Sequence, residues 1–440
     1  SIIEDLITKF EGVNMISSQT QYEELGSNNR VKRIIIGFVK SRSNIETSFV
    51  GFLLFLSFYY FSYRYPFQIN SSLTSPTYKD TPFILQVLKY VLFLWGIYFT
   101  SLKAFANRLK PQYNKEKMFF FFVYLYLFII PVTSGTMAKS SYLIETGIFF
   151  IALLPILLFS NGNLDAVKVS RSFSLFLWVS ILYEIVQIAL FIINDRLPAL
   201  AYSNSWSVRF GSVWDDPNSF SFILAFLIPF VVLKKGAKIE KIFVVSFLLV
   251  ALMLTQSLTG IAGVFASLFL GTFLINIVKP RKSSARLLFL IVILYSIGAI
   301  MCYILYLNSP QLQNLWYLKQ DSINAHLNII DTFYQAGYVE LMGFNPQGMH
   351  GESGYINILL NFGIIYLIVY LLVQLIVIVK LLKIIKGSPK EGSEIYYGAL
   401  FFVISFALGM TNLPLDVAFP INLAYIICVI FVYTFEQNES

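Results

Sequence analysis

Runs of roughly 20 apolar residues, the length that carries a helix across a hydrocarbon core of about 30 Å, recur along this chain with short polar connections between them. They predict spans at 47–63, 82–101, 118–134, 143–160, 172–194 and 219–233, and then at 242–257, 260–278, 287–306, 354–379, 395–410 and 420–434. Backbone in lipid must satisfy its own hydrogen bonds, so the pattern predicts an all-α polytopic membrane protein of about 12 transmembrane helices. The chain divides into a tail (1–46), a membrane domain (47–434) and a short end (435–440). A long loop, 307–353, separates the ninth and tenth spans. Its middle, 322–340, sets Ile323, Leu327, Ile330 and Phe333 at helical spacing, which predicts a short helix lying on the surface.

Composition agrees with the pattern. Charged residues are 13% of the chain, hydrophobic residues 57%, and the mean hydropathy is +0.70, whereas a soluble globule is typically about 25% charged. The charge is also divided between sides. Of 32 lysines and arginines, 25 lie in the N-terminal tail or in the connections that share its side. The exceptions are Lys89 within a span and Arg64, Lys79, Lys139, Arg196, Arg209 and Lys319 on the other side. The positive-inside rule makes both termini cytoplasmic. The net charge of +8 is then topological, matched to anionic membrane lipids and not to nucleic acid. No cleavable signal peptide is expected, because about 45 mostly polar residues precede a span long enough to stay as an anchor. Residues 30–40 (RVKRIIIGFVK) read either as a basic amphipathic surface helix or as a disordered arm. Cys302 and Cys428 fall within spans and read as packing thiols.

Three outer regions are polar enough to hold chemistry: 195–218, 256–260 and 307–353. In the first, Asp215, Asp216, Pro217 and Asn218 form a helix start, with the acids capping the sixth span. Arg209 precedes them, and a guanidinium beside a helix N-terminus suits a phosphate group. An Arg209 to aspartate salt bridge is the plainer alternative. The only histidines, His326 and His350, both fall in the long loop. Gly348 and Gly351 leave His350 accessible, Glu352 is close enough to orient it, and imidazole accepts a proton near neutral pH. A loop histidine bonded to backbone is the alternative. The turn TQSLTG (255–260) is explained by helix capping and close packing. Glu184 and Lys89 are intramembrane charges and functional suspects; Lys89 can snorkel, while Glu184 needs a partner, a proton or water. Metal clusters, nucleotide loops and serine triads are absent from the sequence, so no metal or cofactor is expected.

The succession RFGSVWDDPNSFSF, then TQSLTGIAG, then LMGFNPQGMHGESGYINILLNFGIIYL, covering roughly residues 200–370, resembles the O-antigen polymerase and O-antigen ligase superfamily of bacterial inner-membrane glycosyltransferases. The resemblance implies a multi-span fold of the GT-C type. Arg209, Pro217 and Asn218 match its first block, Ser257 its hairpin, and Gly343, His350, Gly363 and Ile364 its last block. Leu258 stands where an arginine is common, and His326 where the family often has a basic residue. The implied reaction moves a glycan from undecaprenyl pyrophosphate to the acceptor sugar of another lipid-linked repeat unit, at the periplasmic or exterior face, with inversion. His350 and Arg209 are then catalytic, while Asn218, His326, Glu352, Lys319 and Arg196 contact substrate. A separate chain-length regulator is the implied partner. A ligase acting on lipid A core shares this chemistry. A lipid-linked sugar flippase is the rival of another class, although transporters place ionisable groups at the midplane and only Glu184 and Lys89 sit there.

Overall fold

A computed structural model describes residues 166–194, 202–204, 207–212, 217–280, 329–343, 353–387 and 393–411, with scattered positions in 83–91, 122–134 and 304–328. The tail 1–46, the end 435–440, the spans expected at 47–63, 143–160 and 420–434, and most of 82–101 and 287–306 lie outside the described residues, as do Lys89, Cys302 and Cys428. The described part is mostly helical. In chain order its elements are α1 (Leu125–Ser134), α2 (Ala166–Asn194), β1 (Tyr202–Asn204), β2 (Ser207–Arg209), α3 (Pro217–Leu233), α4 (Lys238–Leu254), α5 (Leu258–Val278), α6 (Ile329–Gln335), α7 (Gly354–Gly387) and α8 (Glu394–Gly409). Among the described residues, three helical segments are long and apolar enough to cross a membrane: Phe173–Ile193, Leu258–Val278 and Gly354–Gly387. The protein is membrane-embedded. The short helix expected within 322–340 is present as α6.

The axis of the bundle is α3. Pro217 opens it, at the one helical position where a missing N–H is harmless, and from Ser219 to Val231 every side chain is buried. A helix apolar all round belongs in an interior. Aromatic rings and small residues set its neighbours. Phe222 fills the space at Gly409 of α8, and Phe226 lies over Gly398; Gly263 of α5 meets Phe222 and Ser405, and Gly271 meets Phe401. Small residues let helices approach where lipid supplies no hydrophobic drive. These pairs run α8 antiparallel to α3 and α5. The starts of α3 and α5 therefore share one end with the finish of α8. Phe173 of α2 stacks on Phe226 at 4.6 Å, closing the other side.

Charge is sorted along this axis. Lys234, Lys235, Lys238, Lys241 and Lys279 gather at the end opposite Pro217, with Lys386 in the last turn of α7. There Lys234 donates to Ser174 at 2.8 Å, Ser170 donates to Glu394 at 2.6 Å, and Lys279 donates to the Ile385 carbonyl at 3.4 Å. The helix α2 is inverted relative to a soluble one. Leu175, Trp178, Leu182 and Ile185 are exposed on one face, while Ser180, Glu184 and Gln187 are buried on the other. Such a pattern fits lipid outside and protein within.

Two elements depart from the expected pattern. Within 195–218, expected as a polar loop of an all-α chain, a small antiparallel hairpin pairs Tyr202 with Arg209, Ser203 with Val208 and Asn204 with Ser207. The span expected at 354–379 is also interrupted, because Gly363 takes φ 85° and ψ 172°. At about 1.5 Å per residue, Tyr355 and Gln374 would stand about 28 Å apart on a straight helix. Instead the Tyr355 hydroxyl donates to the Ala407 carbonyl at 2.7 Å and lies 3.1 Å from the Gln374 side-chain amide. Given side-chain reach, the arms 354–362 and 364–387 enclose no more than about 60°. The chain doubles back at Gly363, and the crossing belongs to the second arm. The first arm docks by its start, with the Gly354 and Tyr355 amides donating to the Met410 carbonyl at 2.9 and 3.4 Å.

The second arm is capped by the end of the long loop. The amides of Ile364 and Ile365 donate to the carbonyls of Glu340 and Leu341, both at 3.1 Å. Gly343 lies so close to Phe362 that a Cβ would sit 2.3 Å from the Phe362 carbonyl carbon, and Ser134 of α1 donates to the Gly343 carbonyl at 2.8 Å. An alanine at 363 meets both an unfavourable φ/ψ region that only glycine enters readily and the Gly343 amide nitrogen at 2.7 Å. Gly363→Ala is expected to destabilise the protein by at least about 2 kcal/mol, read as a lower unfolding temperature in detergent. Gly337→Ala, with open space around it at φ +72°, is the control: it carries the backbone cost of about 1–2 kcal/mol without the steric clash and should lose less than Gly363→Ala.

Candidate functional site

The hairpin ends on Arg209, and the residues after it descend along α2. The Phe210 amide donates to the Leu254 carbonyl at 3.2 Å, and its ring packs among Ile188, Phe191 and Leu254. Ser212 donates through its hydroxyl to the Ser180 carbonyl at 2.6 Å. Ser180 is about 20 Å along α2 from its Asn194 end, so this irregular segment reaches deep into the bundle. Irregular backbone is tolerated at such depth only where protein encloses it. Phe210, Gly211 and Ser212 are all buried.

Arg209 is itself only 9% exposed. Its Nε donates to the Thr255 carbonyl at 2.7 Å and its Nη2 to Asn218 Oδ1 at 2.8 Å. The Thr255 carbonyl is one of the groups a helix end leaves unpaired, so the guanidinium caps the negative end of α4. Asn218 lies in the first turn of α3, and its side chain serves Arg209. Two bonds from one rigid fork fix the guanidinium plane.

The turn between α4 and α5 is built for capping, as its sequence suggested. The Thr255 hydroxyl donates to the Leu252 carbonyl at 2.7 Å, and Ser257 accepts from the Gly260 amide at 3.0 Å as the N-cap of α5. Gln256 holds φ 49° to make the tight reversal. Gly260 is needed because a Cβ there would fall 1.7 Å from Ser221 Oγ. Ser221 in turn donates to the Asn218 carbonyl at 2.6 Å. Arg209, Asn218, Ser221, Thr255 and Ser257 thus form one hydrogen-bonded group. Leu258 is half exposed at the start of α5.

Of the residues singled out in sequence, the structure joins Arg209 to Asn218 and the 255–260 turn, and Gly343 to Gly363 and Ile364. The first group lies where Pro217, Leu258 and Met410 share an end of the bundle, to which Gly354 also docks. His350, His326, Glu352, Lys319 and Arg196 lie outside the described residues, as do Asp215 and Asp216. Sequence reading did not find Ser180, Gln187 or Ser212 as neighbours of the site. Their signal was the recurrence of polar residues at 180, 184 and 187, on one face of an otherwise apolar helix.

Asn218→Ala removes the Nη2 acceptor from a buried guanidinium and is expected to destabilise by about 1.5–3 kcal/mol, while Asn218→Asp, which keeps the acceptor, retains near wild-type stability in the same unfolding measurement. No family model matches this chain, and a search of curated proteins found no match.

Proposed function

We propose that this chain is a glycosyltransferase of the bacterial inner membrane that polymerises lipid-linked repeat units. The observation that carries the reading is the Arg209 guanidinium, a permanent cation held in one plane by Thr255 and Asn218 inside a membrane bundle. A buried, oriented cation beside the starts of α3 and α5 is suited to a pyrophosphate, whose charge grows as its bond to the sugar breaks. Basic residues collected at the opposite end support a cytoplasmic side there and a periplasmic or exterior site here.

In the reaction, an acceptor hydroxyl oxygen bonds to the anomeric carbon of the donor glycan. The bond from that carbon to undecaprenyl pyrophosphate breaks, and the electron pair leaves with the pyrophosphate near Arg209. The hydroxyl proton passes to His350, which follows three residues short of Ser353, and Glu352 orients the imidazole. Asn218 positions the arginine, and His326, Lys319 and Arg196 supply further contacts to the anionic donor. Apolar helix faces such as that of Leu175, Trp178 and Leu182 offer surface to the lipid.

The test is incubation of the purified chain with its lipid-linked repeat unit and separation of products by length. His350→Ala is expected to lower transfer by about 10²- to 10⁴-fold with undiminished protein in the membrane. Wild-type products from that variant remove His350 from the reaction. Because the base must be neutral to accept a proton, transfer should fall as the pH is lowered. A rate that is flat from pH 5 to pH 8 contradicts an imidazole base.

A further inference from the structure

The buried face of α2 carries more hydrogen-bonding capacity than the described protein uses. Ser180, Glu184 and Gln187 lie one turn apart on that face and are 1%, 0% and 2% exposed. Among the described residues, Ser180 Oγ, both carboxyl oxygens of Glu184, and Oε1 and Nε2 of Gln187 have no hydrogen-bond partner. Leaving such groups unsatisfied inside a membrane bundle is strongly unfavourable, and a carboxyl group most of all. A leucine face would pack there without penalty. The polar face therefore suits a ligand.

The position of the cluster says which kind. The segment from Arg209 to Ser212 lies directly over it: Phe210 packs on Ile188 and Phe191, Ser212 Oγ is tied to the Ser180 carbonyl, and the Ser212 backbone amide faces the Glu184 carboxyl. The group next to the cluster in the chain is thus the arginine held by Thr255 and Asn218. Five polar atoms are a poor lining for a lipid tail. Acceptors on Glu184, a hydroxyl on Ser180, and an amide on Gln187 that both donates and accepts match neighbouring hydroxyl and amide groups of a sugar.

We infer that Ser180, Glu184 and Gln187 form a sugar-binding subsite beneath the Arg209 segment, taking the hydroxyl or amide groups of the sugar next to the pyrophosphate. The inference rests on the glycosyl-transfer reading above. Occupation requires the covering segment to shift, and within that segment Ser212 holds φ 52°. A serine holds that backbone region only under constraint from its surroundings.

The experiment compares the full-length wild type with Glu184→Gln and Glu184→Leu. Binding of the oligosaccharide repeat unit, released from the cell's own polymer, is measured by calorimetry. Transfer is measured with the lipid-linked repeat unit, and unfolding temperature is measured in detergent without sugar. Loss of a hydrogen bond to the Glu184 side chain is expected to raise Kd and KM by roughly tenfold, with kcat changed far less. Unfolding temperature should stay level or rise, because an unsatisfied acid has been removed. Wild-type Kd and KM in both variants overturn the subsite. A clear fall in unfolding temperature overturns it too, since it means the protein itself already satisfies Glu184. Stabilisation of the wild type by sodium chloride and not by the oligosaccharide assigns the cluster to a cation and also overturns it. Weakened oligosaccharide binding in the variants, alongside a wild type that transfers nothing, sinks the glycosyl-transfer reading and leaves sugar binding standing.

Discussion

The site-bearing end of this bundle depends on how one guanidinium is satisfied where water is scarce. Arg209 donates to the Thr255 carbonyl and to Asn218, and those two bonds tie together three stretches of chain that the sequence keeps apart: the hairpin, the α4–α5 turn and the first turn of α3. Each partner also gains. Thr255 loses an unpaired carbonyl at the end of α4, and Asn218 gains a fixed rotamer. Ser221 extends the same group by donating to the Asn218 carbonyl, and Ser257 by donating its amide to the Thr255 hydroxyl oxygen. In a low-dielectric interior such chains strengthen one another when complete and fail together when a member is lost.

Around that group the packing is steric. Phe222 reaches toward both Gly263 and Gly409, and Phe401 fills the place beside Gly271. A ring set against a glycine fixes the register of two helices more sharply than matched aliphatic side chains, because the mismatch in size leaves one workable position. The helix starts and finishes are thereby brought level, and the loops leaving them can share a site.

Much of this was legible in the sequence because hydropathy and capping are local. The spans expected at 172–194, 219–233, 260–278 and 395–410 agree with α2, α3, α5 and α8 to within a few residues. Ser257 before an apolar run announced a helix cap. Arg209, Asn218, Gly343 and Gly363 each stood out in the sequence, but the bond and the close contact that join them in pairs were not visible there. The reversal at Gly363 was not legible, since the apolar run passes through it unbroken and only its φ of 85° makes the turn. The hairpin at 202–209 was hidden in a segment too short and too polar to show alternation. Glu184 stood out as a charge in a span, yet Ser180 and Gln187 gained meaning only once α2 was seen to turn them inward.

The doubling back of α7 also bears on how the protein fits its lipid. A straight helix of 34 residues would measure about 51 Å, against a hydrocarbon core of about 30 Å, and relieving the excess would demand steep tilt or local thickening of the bilayer. Folding nine residues back leaves an arm of about 36 Å, short enough to cross with modest tilt. A turn at a single glycine thus relieves within the protein a hydrophobic mismatch that a straight helix would impose on the lipid.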